Sequence, residues 1–140
     1  MDRIRAYALR TSIAFFKPCG PALMARAVRT LGDEFPDLRA LLPDDTSRLH
    51  VRWFATLEQI VERCEQFHKL ERVLGDAGAS AAAAGFTPAH YPIVRDTLLA
   101  AMHDLAGEDW TPELEKSWRL LLDATSGAMI AGAFRHRHAA

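Results

Sequence analysis

The chain has 140 residues, enough for one domain that buries about two thirds of its unfolded surface. Its composition is that of a globular protein, 49% hydrophobic and 25% charged, and a formal net charge of -1 excludes a general attraction to nucleic acid or anionic membranes. Two cysteines are too few for a disulfide framework, so we predict a single cytoplasmic domain over residues 1–140 that contacts neither nucleic acid nor membrane.

Apolar residues recur at helical spacing along almost the whole chain, and no stretch shows the alternation of a strand. We therefore predict an all-α fold of seven or so helices. Residues after about 135, which include a small basic cluster, are predicted to form a short frayed tail. In chain order the predicted helices run from about Ile4 to Phe16, Pro21 to Leu31, Phe35 to Leu42, Ser47 to Phe67, Lys69 to Ala84, Thr87 to Leu105 and Thr111 to Phe134.

Glycine, proline and threonine set the predicted helix boundaries. Thr87-Pro88 and Thr111-Pro112 each combine a hydroxyl that can cap a helix with a proline that the first turn tolerates. Gly32 and Gly107 are predicted to end the helices before them. The segment Lys69–Ala84 is dominated by alanine, which favours a helix but offers little apolar surface for anchoring it.

Three motifs stand out in the sequence: Phe35–Leu42, with sequence FPDLRALL, Gly85–Val94 and Trp110–Leu114. All three resemble the globin family, in particular bacterial single-domain globins and the globin domains of flavohaemoglobins, and Phe35–Leu42 is similar to the approach to their CD corner. Gly85–Val94, which contains His90-Tyr91-Pro92, resembles their turn between helices F and G. Trp110–Leu114, followed by Trp118, resembles the start of their helix H. The resemblance covers nearly the whole chain and implies a globin-like three-on-three helical sandwich.

The same resemblance implies that the residues that grip haem have been replaced. The proximal histidine of these globins lies nine residues before the histidine of the His-Tyr pair, and that position is Ala81 here. The CD-corner phenylalanine falls on Leu42 and the oxygen-binding tyrosine of helix B on Val28. The distal glutamine falls on Leu49, with His50 or Arg52 as alternatives in a less certain register.

The helix G tyrosine of the family is kept as Tyr91, but its glutamate partner falls near Ala133. An alanine methyl has no lone pair to offer iron, so we expect neither haem nor another metal to be bound. Trp53, one turn after Leu49, is expected to point toward the former porphyrin position. The predicted lining of the former haem site is Val28, Leu42, Leu49, Trp53, Ala81 and Tyr91.

An empty pocket of haem size is costly, because protein interiors are closely packed. The sequence is therefore compatible with three ways of filling the former haem site. The core fills itself, an apolar cavity holds a hydrophobic small molecule, or haem b binds through unusual ligation by His50 or His68. His50 could equally be a polar residue on an exposed shoulder of its helix. Cys64 and His68, four residues apart, form only an incomplete metal pair.

From the resemblance we expect a globin-like domain without enzymatic activity that acts in regulation, interaction or hydrophobic-ligand binding. The alternative is a haem globin that binds or senses oxygen or another diatomic gas. Enzyme motifs are absent from the sequence, and a flavohaemoglobin-type oxidoreductase would need flavin and nicotinamide domains as well. Because globin subunits often pair through helices G and H, we also predict a homodimer through Leu98, Met102, Leu122 and Met129.

Overall fold

The computed structural model describes residues 1–138, and within that range the protein consists of α-helices joined by short turns and 3-10 segments, with no strand. The all-α prediction is therefore confirmed. The helices are α1 (Arg3–Phe16), α2 (Gly20–Glu34), α3 (Pro36–Arg39), α4 (Ser47–Glu62), α5 (Glu71–Ala83), α6 (His90–Ala106) and α7 (Pro112–His138).

Two boundaries differ from the sequence-based prediction because tertiary packing overrides local signals. Gly32 does not end a helix: α2 continues through it to Glu34, and a Cβ at Gly32 would meet only the Arg39 side chain, at 3.9 Å. The predicted helix through Phe67 ends at Glu62 instead. Gln66 leaves helical geometry with φ -127° and ψ 48°, so residues 64–70 form a kinked 3-10 segment.

Two further boundaries differ from the prediction: the start of α6 and the end of α7. α6 begins at His90 rather than at Thr87, because the Thr87 backbone N–H donates to His90 Nδ1 at 2.9 Å and closes a turn before the helix. α7 starts as predicted, with the Leu114 N–H donating to the Thr111 hydroxyl at 3.1 Å, and it continues past Phe134 to His138.

Trp118 of α7 lies at the centre of the hydrophobic core and is fully buried. Its indole Nε1 donates to Ser12 Oγ of α1 at 2.9 Å, so the one polar atom of the ring is satisfied and α1 is fixed against α7. α2 packs against α4 and α6, while α1 packs against α4 and α7. The other fully buried large side chains are Leu9, Phe16, Met24, Leu31, Val61, Cys64, Met102 and Leu121.

α5 is anchored by backbone contact with α7 rather than by large apolar side chains. A Cβ atom at Gly132 would overlap the Cα of Gly75, and one at Gly78 would overlap the backbone of Met129. The two helices therefore cross with their main chains in van der Waals contact, closer than side chains between helices normally allow. Among the residues of α5, only Leu74, Gly75 and Gly78 are buried.

Over residues 1–138, no helix is both long enough and apolar enough to cross a bilayer.

Gly132→Ala is expected to lower the free energy of unfolding by about 2 kcal/mol, because the new methyl group overlaps α5 at the crossing. Gly127→Ala is the matched control in the same helix, since nothing lies within 4 Å of a Cβ there. That control should gain about 0.5–1 kcal/mol from helix propensity. Urea denaturation of both variants measures the difference. Equal stability of the two variants would contradict the close crossing.

Candidate functional site

The residues predicted to line a former haem site lie in separate places. Val28 and Leu42 share a cavity of about 450 Å³ with His50, between α2, the turn after α3 and the start of α4. Tyr91 lines a different cleft of about 220 Å³ where the α5–α6 corner meets α7. Trp53 packs against the hydrophobic core. We call the first the α2–α4 cavity and the second the corner cleft.

His50 is the unusual residue of the α2–α4 cavity. Its Nε2 is buried and has no hydrogen-bond partner among the described residues. Phe54, one helical turn later on the same face of α4, packs its ring where a Cβ of Gly20 in α2 would lie. His50 therefore lies on the face of α4 that carries Phe54 and is turned toward α2.

The rest of the α2–α4 cavity is mixed in character. Arg29 and Arg39 bring positive charge to its lining, while Asp33 and Asp44 bring an equal negative charge. The remaining lining residues are apolar or small, apart from Thr46, which precedes α4. Because the charges balance, the cavity has no overall preference for a cation or an anion.

His68 is exposed and does not line the cavity that contains His50. It lines an open groove of about 480 Å³ whose other residues are Glu71, Arg72, Asp76, Arg135 and His136. Cys64 is buried instead, and burial raises the pKa of its thiol. The structure therefore places the two members of the predicted Cys-His pair in different environments. Among residues 1–138, no group of three or more histidines, cysteines and carboxylates is placed to hold a metal.

The corner cleft is built on a sharp turn after α5. Gly85 has a φ of 106°, which favours glycine, and it ends the helix. The Phe86 N–H then donates to the Ala81 carbonyl at 2.9 Å, which fixes Phe86 over the helix end. The Phe86 ring meets Tyr91 edge to face, with ring centroids 4.7 Å apart. The turn thus presents two aromatic rings side by side.

α7 forms the opposite wall of the corner cleft, just beyond the point where it crosses α5. Ile130, Ala133, Phe134 and Arg137 line this wall; they are spaced three to four residues apart, hence on one helical face. Phe134 is 62% exposed, so its ring forms part of the rim. Gly78 and Ala82 complete the α5 wall, while Gly85, Thr87 and Pro88 line the turn. The cleft is apolar and aromatic with one charged residue.

Tyr91, predicted to line the former haem site, lines the corner cleft, and its burial raises the pKa of the phenol. Its place in a haem site stays a prediction. Ala81 and Leu49 are half-buried. Sequence reasoning missed Phe86 and the three large side chains of α7. The spacing of Ile130, Phe134 and Arg137 on one helical face was the available signal.

The residues predicted to form a homodimer serve the core of this chain. Leu98, Met102 and Leu122 are buried, and Met129 is partly buried against the core. Because these side chains are buried in their own chain, a homodimer through α6 and α7 would have to use other residues of those helices. The homodimer stays a prediction.

Residues 44–129 match the Globin family, which is more than half of the chain, so this protein belongs to the globin family. A putative nitric oxide dioxygenase of Rhodothermus marinus, solved as an engineered carbene transferase, is 20% identical with a TM-score of 0.87, and the match covers 99% of this chain and 97% of that one. A bacterial globin of Campylobacter jejuni is 12% identical with a TM-score of 0.87, covering 97% and 99%. These likenesses confirm the globin-like fold.

The expectation that this chain is not an enzyme was wrong as reasoned. It depended on the absence of flavin and nicotinamide domains from the sequence. The Rhodothermus marinus chain has the same fold over 97% of its length and is described as a putative dioxygenase and an engineered transferase. The absence of reductase domains therefore does not argue against enzymatic activity in a chain of this size and fold.

Tyr91→Phe is expected to reduce the loss of stability at alkaline pH. Burial raises the pKa of Tyr91 in the folded protein, so the unfolded chain ionises first, at about pH 10. The folded state consequently loses stability as the pH rises from about 10 through the higher folded pKa. Thermal unfolding of both proteins between about pH 8 and 11 measures this effect. Parallel curves across the whole interval would show that burial does not affect the phenol.

Proposed function

We propose that this globin binds a small apolar molecule in the corner cleft and does not hold haem through α5. The observation that carries the proposal is the cleft itself: an aromatic and aliphatic lining in which the Tyr91 and Thr87 hydroxyls and one arginine are the polar side chains. Binding sites for small molecules commonly combine an apolar lining with a few polar groups that orient the ligand.

The side chains of α5 do not fit haem ligation. A globin holds haem by one bond from a neutral imidazole and by extensive apolar contact. From Glu71 to Ala83 the helix contains no histidine, cysteine, methionine or tyrosine. The position that the family resemblance assigns to the proximal ligand is Ala81, whose methyl group cannot coordinate iron. α5 therefore offers the iron of a haem no side-chain ligand.

The packing of α5 supports the same proposal. Val73 of this helix is 60% exposed, and the buried positions include two glycines. Because main-chain contact with α7 holds the helix in place, α5 does not depend on a prosthetic group for its position. The free energy that haem contributes to other globins is replaced here by contact within the chain.

The size of the corner cleft limits its ligand. An apolar cavity of about 150 Å³ is enough to bind benzene in a protein interior. The corner cleft, at about 220 Å³, therefore suits a molecule with one ring or a short alkyl chain. Porphyrin is far larger and would not fit there.

Filling the cleft should weaken the binding of an apolar probe. Ala133 lines the cleft and Ala131 is exposed on another face of α7. We expect Ala133→Phe to weaken binding of (trifluoromethyl)benzene, followed by fluorine NMR, by about tenfold or more, which corresponds to about 1.4 kcal/mol. Ala131→Phe should bind the probe as the unaltered protein does.

Ala82→Leu fills the same cleft from α5 and replaces the first variant if Ala133→Phe does not fold. Equal affinity in the cleft-filling and control variants would place the ligand elsewhere and refute the proposal. Absence of binding to the unaltered protein would refute it as well.

The buried Nε2 of His50 favours one second candidate function, a haem globin with unusual ligation that senses a diatomic gas. A buried nitrogen without a partner calls for one, and iron accepts an imidazole lone pair. Against this candidate, the ring lies on the face of α4 that is turned to α2. His68, the other histidine considered, is exposed in a different groove.

Haemin titration separates the two candidates. We expect no sharp Soret band for the unaltered protein, because α5 offers iron no ligand. Ala81→His should create stoichiometric haem binding if Ala81 occupies the proximal position. Ala83→His is the matched control, since it adds the same side chain at an exposed position of the same helix.

The opposite result would be a stoichiometric low-spin spectrum of the unaltered protein that disappears in His50→Ala or His68→Ala. That result would overturn the first proposal and establish the second. If both variants kept the spectrum, the haem ligand would be neither His50 nor His68, and the first proposal would still be overturned.

A further inference from the structure

We infer that the ligand of the corner cleft is a small monocarboxylate with an apolar body, bound through its carboxylate to Arg137. This inference rests on the proposed function and names the chemical class of the ligand for the same site. The inference is based on the charge of the cleft, the position of that charge, and the distance along α7 between Ile130 and Arg137.

Charge distinguishes the corner cleft from the two other cavities described. The α2–α4 cavity has two arginines and two aspartates, and the groove beside His68 has Arg72 and Arg135 facing Glu71 and Asp76. Among the described residues that line the corner cleft, Arg137 alone carries a formal charge. An uncompensated guanidinium beside an apolar surface favours a single negative charge on the ligand.

The guanidinium of Arg137 is available for such a ligand. Within residues 1–138 it takes part in none of the ion pairs, whereas Arg95 of α6 binds both Asp96 and Asp123 at 2.9 Å. A guanidinium presents its donors as a planar fork that matches the two oxygens of a carboxylate. Phosphate would carry a second negative charge that no other lining residue neutralises.

The placement of Arg137 sets the length of the ligand. Ile130 and Arg137 lie two turns apart on one face of α7, which is roughly 10 Å along the helix axis. A carboxylate at Arg137 therefore leaves about two turns of apolar wall for the remainder of the molecule. A phenyl ring joined to a carboxylate by two methylene groups spans a comparable length.

The aromatic rings of the cleft suit the body of that ligand. Phe86 and Tyr91 meet edge to face, so the turn offers one ring face and one ring edge to an incoming ring. The Tyr91 hydroxyl lines the cleft and is a phenol that can donate a hydrogen bond to a carboxylate or an alcohol. An ammonium group would meet only the like charge of Arg137.

Three probes that differ at one end test the inference: 3-phenylpropionate, 3-phenylpropan-1-ol and 3-phenylpropan-1-amine, compared by calorimetry at neutral pH. We expect the acid to bind about fivefold more tightly than the alcohol, and the amine to bind most weakly. Arg137→Gln should reduce the affinity for the acid to that for the alcohol and leave the alcohol unaffected. Arg135→Gln, the same charge change on the other groove, should leave the order intact.

The outcomes separate this inference from the proposed function. If acid and alcohol bind the unaltered protein equally, the carboxylate assignment is overturned while apolar binding in the cleft stands. If Arg137→Gln keeps the preference for the acid, the assignment to Arg137 is overturned. If none of the three probes binds, the proposed function fails together with the inference. Because the Arg137 charge is near solvent, the acid preference should shrink as salt is raised.

Discussion

The direct contact of two helix backbones, at Gly75 and Gly132, is the constraint on which the rest of this structure depends. α5 has too few apolar side chains to hold itself in place, and close main-chain approach supplies dispersion contacts instead. Gly85 ends α5, and the crossing holds that end of the helix against α7, which sets where the Phe86–Tyr91 pair lies relative to α7. The corner cleft is the space left beside that crossing.

Most of the helices could be predicted from the period of the apolar residues, because each one buries a single face. The exceptions have tertiary causes. Gly32 has the chemistry of a helix stop, but α2 continues to Glu34, where Phe35-Pro36 ends it. The apolar pattern runs on to Phe67, but α4 ends at Glu62, where Arg63 leaves helical geometry, and Gln66 is again non-helical, although no local sequence signal requires either break.

The candidate site was only partly predictable. Tyr91 could be identified because its neighbours carry the family resemblance, and the resemblance also led to Ala81. Phe86 and Arg137 are far apart in sequence, and only the angle at which α7 crosses α5 brings them to one cleft. His50 and Trp53 are three residues apart on one helix, so at about 100° per residue their side chains point only about 60° apart. Whether Leu49, His50 or Arg52 takes the distal position therefore depends on a register that the sequence left open.

α4 and α5 are joined by the kinked 3-10 segment Cys64–Leu70 and pack against different neighbours. α4 packs against α1 and α2, while α5 packs against α7. The boundary between α4 and α5 is consequently a seam, along which partial opening would cost less than disruption of the Trp118 core.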